Sequence, residues 1–205
     1  MTNRAKELEA AAKDIDLVSL QAAKDAVAAS CAEYVRWADL FSCRLESVES
    51  GELHKFARAF SLTLLGHLPT RPGTCPFCIQ YDRDRACTGC GYAATHGRCD
   101  ADDSAFSLFI EAFQELGRVI YQDTITSDPA CLPVETKRLL FALLQSSGEL
   151  ASQMQKDLPS SSTLQLMKQK QIYMDRMIEK LPLCLFSEDV GKKCRILQHR
   201  LEGYW

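Results

Sequence analysis

The chain has 205 residues, a formal net charge of −3, ten cysteines and four histidines. A chain of this length can bury roughly 70% of the surface its unfolded form exposes, so folding as a whole does not require a metal. The slight acidic balance excludes a general polyanion binder, and no apolar run is long enough to cross a bilayer. Met1 to Glu7 lacks the apolar segment of a secretory signal. The expectation is a cytoplasmic protein, where clustered cysteines more often bind metal than form disulfides.

In chain order, residues 4–13 form a short amphipathic stretch around Leu8 and Ala12, and Asp14-Ile15-Asp16 supplies a cap for the next helix. From about 18 to 48, apolar residues recur at Leu20, Ala23, Val27, Cys31, Tyr34, Ala38, Phe41 and Leu45, one stripe of a long helix. Ser50-Gly51 breaks that pattern. A third stripe (Leu53, Phe56, Ala57, Phe60, Leu64) should end near Gly66, since Pro69 and Pro72 follow.

Beyond a cysteine-rich stretch at 75–99, Asp102-Asp103-Ser104 caps a helix with the stripe Phe106, Phe109, Ile110, Phe113, Leu116 and Ile120. Pro133 suits the first turn of the next helix. Leu139, Leu140, Ala142, Leu143 and Leu144 are apolar nearly all round, which predicts a central core helix running on past Gly148 to about Lys156. Pro159 to Ser162 reads as a linker, and a last helix runs from about 163 to 180 until Pro182 stops it. The tail, 183–205, carries Cys184, Cys194, Gly191 and a basic cluster of Lys192, Lys193, Arg195, His199 and Arg200, and ends in Tyr204 and Trp205. The predicted fold is all-α: a bundle of about six helices, with N-terminal helices in 1–70, a cysteine-rich metal-binding loop in 71–103, C-terminal helices in 104–182 and a basic-aromatic tail in 183–205.

The chemistry concentrates in the loop. Cys75-Pro76-Phe77-Cys78 and Cys87-Thr88-Gly89-Cys90-Gly91 are two C-x2-C pairs, followed by His96 and Cys99. Two such pairs can bring four thiolates to one tetrahedral ion, and the flanking proline and glycines permit turns that point amide hydrogens at sulfur. No part of 75–100 is periodic enough for a helix or a long strand, so a metal-held loop is expected. In these respects residues 75–91 resemble the knuckles of rubredoxin and of zinc ribbons, and that resemblance implies a metal site at Cys75, Cys78, Cys87 and Cys90. Residues 184–200, from Cys184 through Cys194 to His199-Arg200, are faintly similar to the late part of cysteine-cluster iron/zinc-chelating proteins.

The metal is expected to be zinc, or alternatively iron, as a single ion or an iron–sulfur cluster. Cys99 and His96 are possible additional ligands, or neighbours of an open position. Cys31, Cys43 and Cys131 read as small hydrophobes, and Cys184 and Cys194 as ordinary thiols. Met154, Met167, Met174 and Met177 read as core, and His54 as a surface helix residue. There is no phosphate-binding glycine loop and no nucleophile-elbow motif. Arg71, Arg83, Arg85 and Arg98 are offset by Asp82, Asp84 and Asp100, a poor footprint for a nucleic-acid finger.

Three functions remain open on this reading. The first is a zinc-containing accessory protein without catalysis of its own, which engages a protein partner through a helical stripe or the tail. The second is an iron or iron–sulfur redox protein, or a subunit of an oxidoreductase. The third is a thiol- or metal-dependent enzyme using Cys99 or His96.

Overall fold

The computed structural model describes residues 3–81, 87–124 and 132–204, with the side chains of 3–5 and 204 left aside. The loop charges at 82–85, Cys131 and Trp205 lie outside the described residues. Within these limits the protein is all-α and contains no strand. Its helices are α1 (Asn3–Lys13), α2 (Leu17–Leu45), α3 (Leu53–Gly66), α4 (Pro76–Tyr81), α5 (Gly91–His96), α6 (Ala105–Gln122), α7 (Pro133–Asp157), α8 (Thr163–Ile178) and α9 (Glu188–Tyr204).

Local chemistry sets most of these boundaries. The Asp16 carboxylate accepts from the Ser19 N–H at the start of α2, and Ser104 does the same for Ser107 at the start of α6. Pro133 opens α7, where its missing N–H costs nothing. Ser162 and Gln165 form a reciprocal capping box on α8, satisfying two otherwise orphan donors.

The bundle is built around the long pair α2 and α7. Their partners run in opposite order: Lys24 donates to the Pro159 carbonyl, Gln155 to the Ala28 carbonyl, Tyr34 to the Ser147 hydroxyl and Lys137 to the Glu46 carbonyl. The two helices are therefore antiparallel. Gly148 of α7 faces Ala38 of α2, where an added Cβ would make an ordinary contact of 3.7 Å with the Ala38 methyl. Helix α7 departs from the expectation of a helix buried all round. Its inner face is Thr136, Leu140, Leu144, Ser147, Ala151 and Met154, whereas Phe141 and Ala142 are exposed. Leucine-rich composition masked an ordinary single stripe.

The 183–205 stretch also departs from the expected tail. Most of it is α9, whose Val190, Cys194, Leu197 and Leu201 recur at helical spacing and are fully buried. Helix α9 packs along α6 and α8, with Lys193 paired to Glu115 of α6 at 3.1 Å. Gln171 donates to the Leu201 carbonyl, tying α8 to α9. Met154, Met167, Met174 and Met177 are core, as expected.

His54 is the third correction. It is not a surface residue but buried, with its Nε2 2.9 Å from the Asp123 carboxylate at the end of α6 and its ring edge-on to Phe186. The contact joins residues 69 apart in sequence, so helix periodicity within α3 could not show it.

Candidate metal centre

The cysteine segment is not one loop. Two short helices, α4 and α5, stand in it, each six residues long, too short to leave a readable period in the sequence. Thr74 begins the segment. Its hydroxyl lies 2.8 Å from the Pro69 carbonyl and 2.7 Å from that of Arg71, fixing the turn that delivers Cys75. Gln80 of α4 holds the α1–α2 turn, accepting from the Asp16 N–H and donating to the Asp14 carbonyl. Phe77 is buried and faces Tyr92 of α5 with ring centroids 6.2 Å apart.

The second C-x2-C pair is a tight turn closed by the Cys90 N–H on the Cys87 carbonyl at 3.0 Å. Both Cys87 (φ 51°) and Gly89 (φ 80°) take left-handed backbone conformations, which glycine adopts without strain. Gly91 serves packing. A Cβ there would fall 2.0 Å from the Ala11 methyl, so its absence is what lets α1 lie against α5. Through that contact the N-terminal helix covers the cysteine segment.

Three of the sulfurs form a chain. Cys78 interacts with both Cys75 and Cys99. Cys90 lies within electrostatic reach of Cys75 and Cys78. The Cys78 N–H is directed at the Cys75 sulfur, and the N–H groups of Ala93 and Tyr92 at the Cys90 sulfur. Amides aimed at sulfur favour thiolate and are the geometry expected of a knuckle. Cys99 thus belongs with Cys75, Cys78 and Cys90. Cys87 is half-buried in the turn beside Cys90. His96 is buried, not an exposed loop imidazole. It stacks flat on Tyr92 at 4.4 Å, with Thr95 Oγ1 2.7 Å from its Nδ1.

Next to the turn that delivers Cys75 sits a buried lysine that sequence reading passed over. Lys170 of α8 is 1% exposed, and its Nζ donates to the Thr74 carbonyl at 2.8 Å and the Thr74 hydroxyl at 3.0 Å. Burial lowers its pKa, opposed by the neighbouring Cys75 and Cys78 sulfurs. The only signal in the sequence was its place on the buried stripe of α8, between Leu166, Met167 and Tyr173, Met174.

Without a metal these sulfurs are held as thiols. The hydrogen bond to Cys78 and burial push Cys75 well up. Cys78 gains from its interaction with Cys75, but its interaction with Cys99, its burial and the neighbouring sulfurs outweigh that and push it up to about 12. Burial also raises Cys90, against the pull of its two amides. A C-x2-C pair working as a nucleophile or in thiol exchange needs the opposite, an accessible sulfur of depressed pKa. Among the described residues, no three or more His, Cys, Asp or Glu side chains are grouped so that they could hold a metal ion.

Two cavities are lined by other residues. One of about 550 Å³ runs between α2 and α7 past Ala38, Phe141 and Gly148, and one of about 350 Å³ lies beside Ser30, His67 and Thr74; neither is lined by a cysteine. Cys31 and Cys194 are buried thiols of the core, while Cys43 and Cys184 are exposed. Among the described residues no helix is long and apolar enough to cross a membrane. Compared with known proteins, the chain matches no family model, no curated sequence and no solved structure.

Proposed function

We propose that this chain is a helical metal-binding accessory protein of the cytoplasm, with one structural zinc ion held by Cys75, Cys78, Cys90 and Cys99. The observation that carries the reading is the sulfur chain from Cys75 through Cys78 to Cys99, with Cys90 beside it. Three of these four residues are those that the knuckle spacing nominates. Cys99 is taken as the fourth because it interacts with Cys78.

Binding requires all four thiols to lose their protons and the sulfurs to close around one centre. A structural role suits the surroundings: the site is packed between Phe77, Tyr92 and α1, and the ion would cross-link the turn before α4 to that before α5. The exposed ring of Phe141, which lines the groove between α2 and α7, is a place for a protein partner.

The test is metal content by mass spectrometry, with a visible spectrum, on protein purified without oxygen. The proposal expects one zinc per chain and no absorbance beyond the aromatic band. Iron with a visible band bleached by reductant would transfer the same site to electron transfer. No metal at all, before or after reconstitution, would refute the site.

A further inference from the structure

Helix α7 carries a second stripe beside its buried one. Arg138, Phe141, Gln145, Gly148 and Ser152 recur at three- and four-residue spacing, and all are exposed or half-buried. Phe141 is 50% exposed and stands between two cavities. The cavity of about 550 Å³ runs from it over Ala38 and Gly148, and one of about 250 Å³ lies between it, Leu45 and Arg138. An aromatic knob and a hollow floored by small residues therefore share one face, about 10 Å apart along the helix.

This face is complementary to itself when a second copy is laid on it antiparallel. Phe141 and Gly148 lie symmetrically about Leu144 and Gln145, so a two-fold axis there seats each ring over Gly148 of the other copy. The charges follow the same symmetry. Glu135, Arg138, Glu149 and Lys156 alternate in sign along α7. The axis sets Arg138 opposite Glu149, and Glu135 opposite Lys156, each within about half a turn. Among the described residues none of these four is in an ion pair, and Glu149 accepts only from the Gln145 amide, at 3.2 Å. A parallel copy would instead set Arg138 against Arg138 and leave the hollow empty.

We propose that this face joins two copies of the chain, with α2 and α7 of one packed antiparallel on those of the other as a four-helix bundle. The second copy occupies the groove assigned above to a protein partner, a reading this one rests on, and it needs no metal. A contact this polar makes the dimer reversible, not obligate.

The experiment is analytical ultracentrifugation of the full chain over a concentration series, in reductant, once with zinc and once with chelator. Wild type should associate to a dimer in both, and added salt should weaken it. Arg138→Glu and Glu149→Arg each turn two attractions into two repulsions, so each should weaken the dimer by about ten-fold or more. The double variant, Arg138→Glu with Glu149→Arg, should recover most of the loss. Gly148→Gln fills the hollow, and its Cβ makes only an ordinary 3.7 Å contact with Ala38. It should therefore match wild type in circular dichroism and yet stay monomeric.

Wild type that is monomeric at every concentration would overturn the second copy and leave the groove to a different protein. A dimer that none of these variants weakens would place the contact on another face and overturn the groove as its site. A double variant no tighter than the single ones would overturn the antiparallel register. A dimer that forms only with zinc would move the contact to the cysteine segment and overturn it as well.

Discussion

Replacing Cys78 with serine is expected to release the metal and open residues 71–103 to protease while leaving the long helices formed. Cys78 is the middle of the sulfur chain, in contact with both Cys75 and Cys99, so its loss breaks two sulfur contacts. Structural zinc contributes about 10–16 kcal/mol of folding free energy in small finger peptides, and a hydroxyl is a poor replacement for a thiolate ligand. The damage should nevertheless stay local. The α2–α7 pair and the α6–α9 pair rest on their own buried stripes, and none of those contacts passes through the cysteine segment. Circular dichroism should therefore change little, while limited proteolysis should find new cuts between α3 and α6. A Cys78→Ser protein with full metal content and an intact segment would show that the ligands have been misassigned.

Alkaline pH should unfold the metal-free protein, and buried thiols and phenols outside the cysteine segment contribute alongside Cys75, Cys78 and Cys90. Burial pushes Cys31, facing the Tyr173 hydroxyl, and Cys194, inside α9, from the ordinary 9.0 up to about 11. Burial likewise raises Tyr34, whose hydroxyl donates to Ser147, and Tyr173 beside Cys31. Each of these groups is neutral in the fold and ionises more readily in the unfolded chain. The contribution of the two thiols is thus complete below pH 9 and is lost as pH rises toward 11. Each unit of elevation corresponds to about 1.4 kcal/mol, so the two thiols alone account for several kcal/mol out of a total stability of about 5–15 kcal/mol.

Urea unfolding with chelator and reductant present should give a midpoint that is flat below pH 9 and falls steeply above it. Cys31→Ala should shrink the fall. A midpoint that holds steady through pH 11 would contradict the burial described for these side chains.

The residues explain why some of this was legible in the sequence and some was not. Helix ends were readable because capping is local: Asp16, Ser104, Pro133 and Ser162 each act on a backbone group within a turn of themselves. The C-x2-C pairs were readable for the same reason. Helix α9 was legible in principle through Val190, Cys194, Leu197 and Leu201, but its basic outer face drew attention from that stripe. Contacts between distant elements left no local trace. The pairing of His54 with Asp123, the approach of Cys99 to Cys78 and the placing of Lys170 against Thr74 all depend on how helices meet. Lys170 shows the limit most clearly. A lysine on an apolar stripe reads as a tolerated intrusion until the structure puts the Thr74 turn against it.

The most direct measurement of the central claim is titration of the metal-free, reduced protein with Co2+, followed by visible absorption. A tetrahedral ion held by four thiolates gives strong ligand-field and sulfur-to-metal charge-transfer bands. We expect these to grow to saturation at one equivalent in wild type and in Cys87→Ser, and to fail in Cys99→Ser. A pale spectrum that never saturates would contradict the four-thiolate site. Intense bands that survive Cys99→Ser and vanish in Cys87→Ser would return the fourth ligand to Cys87.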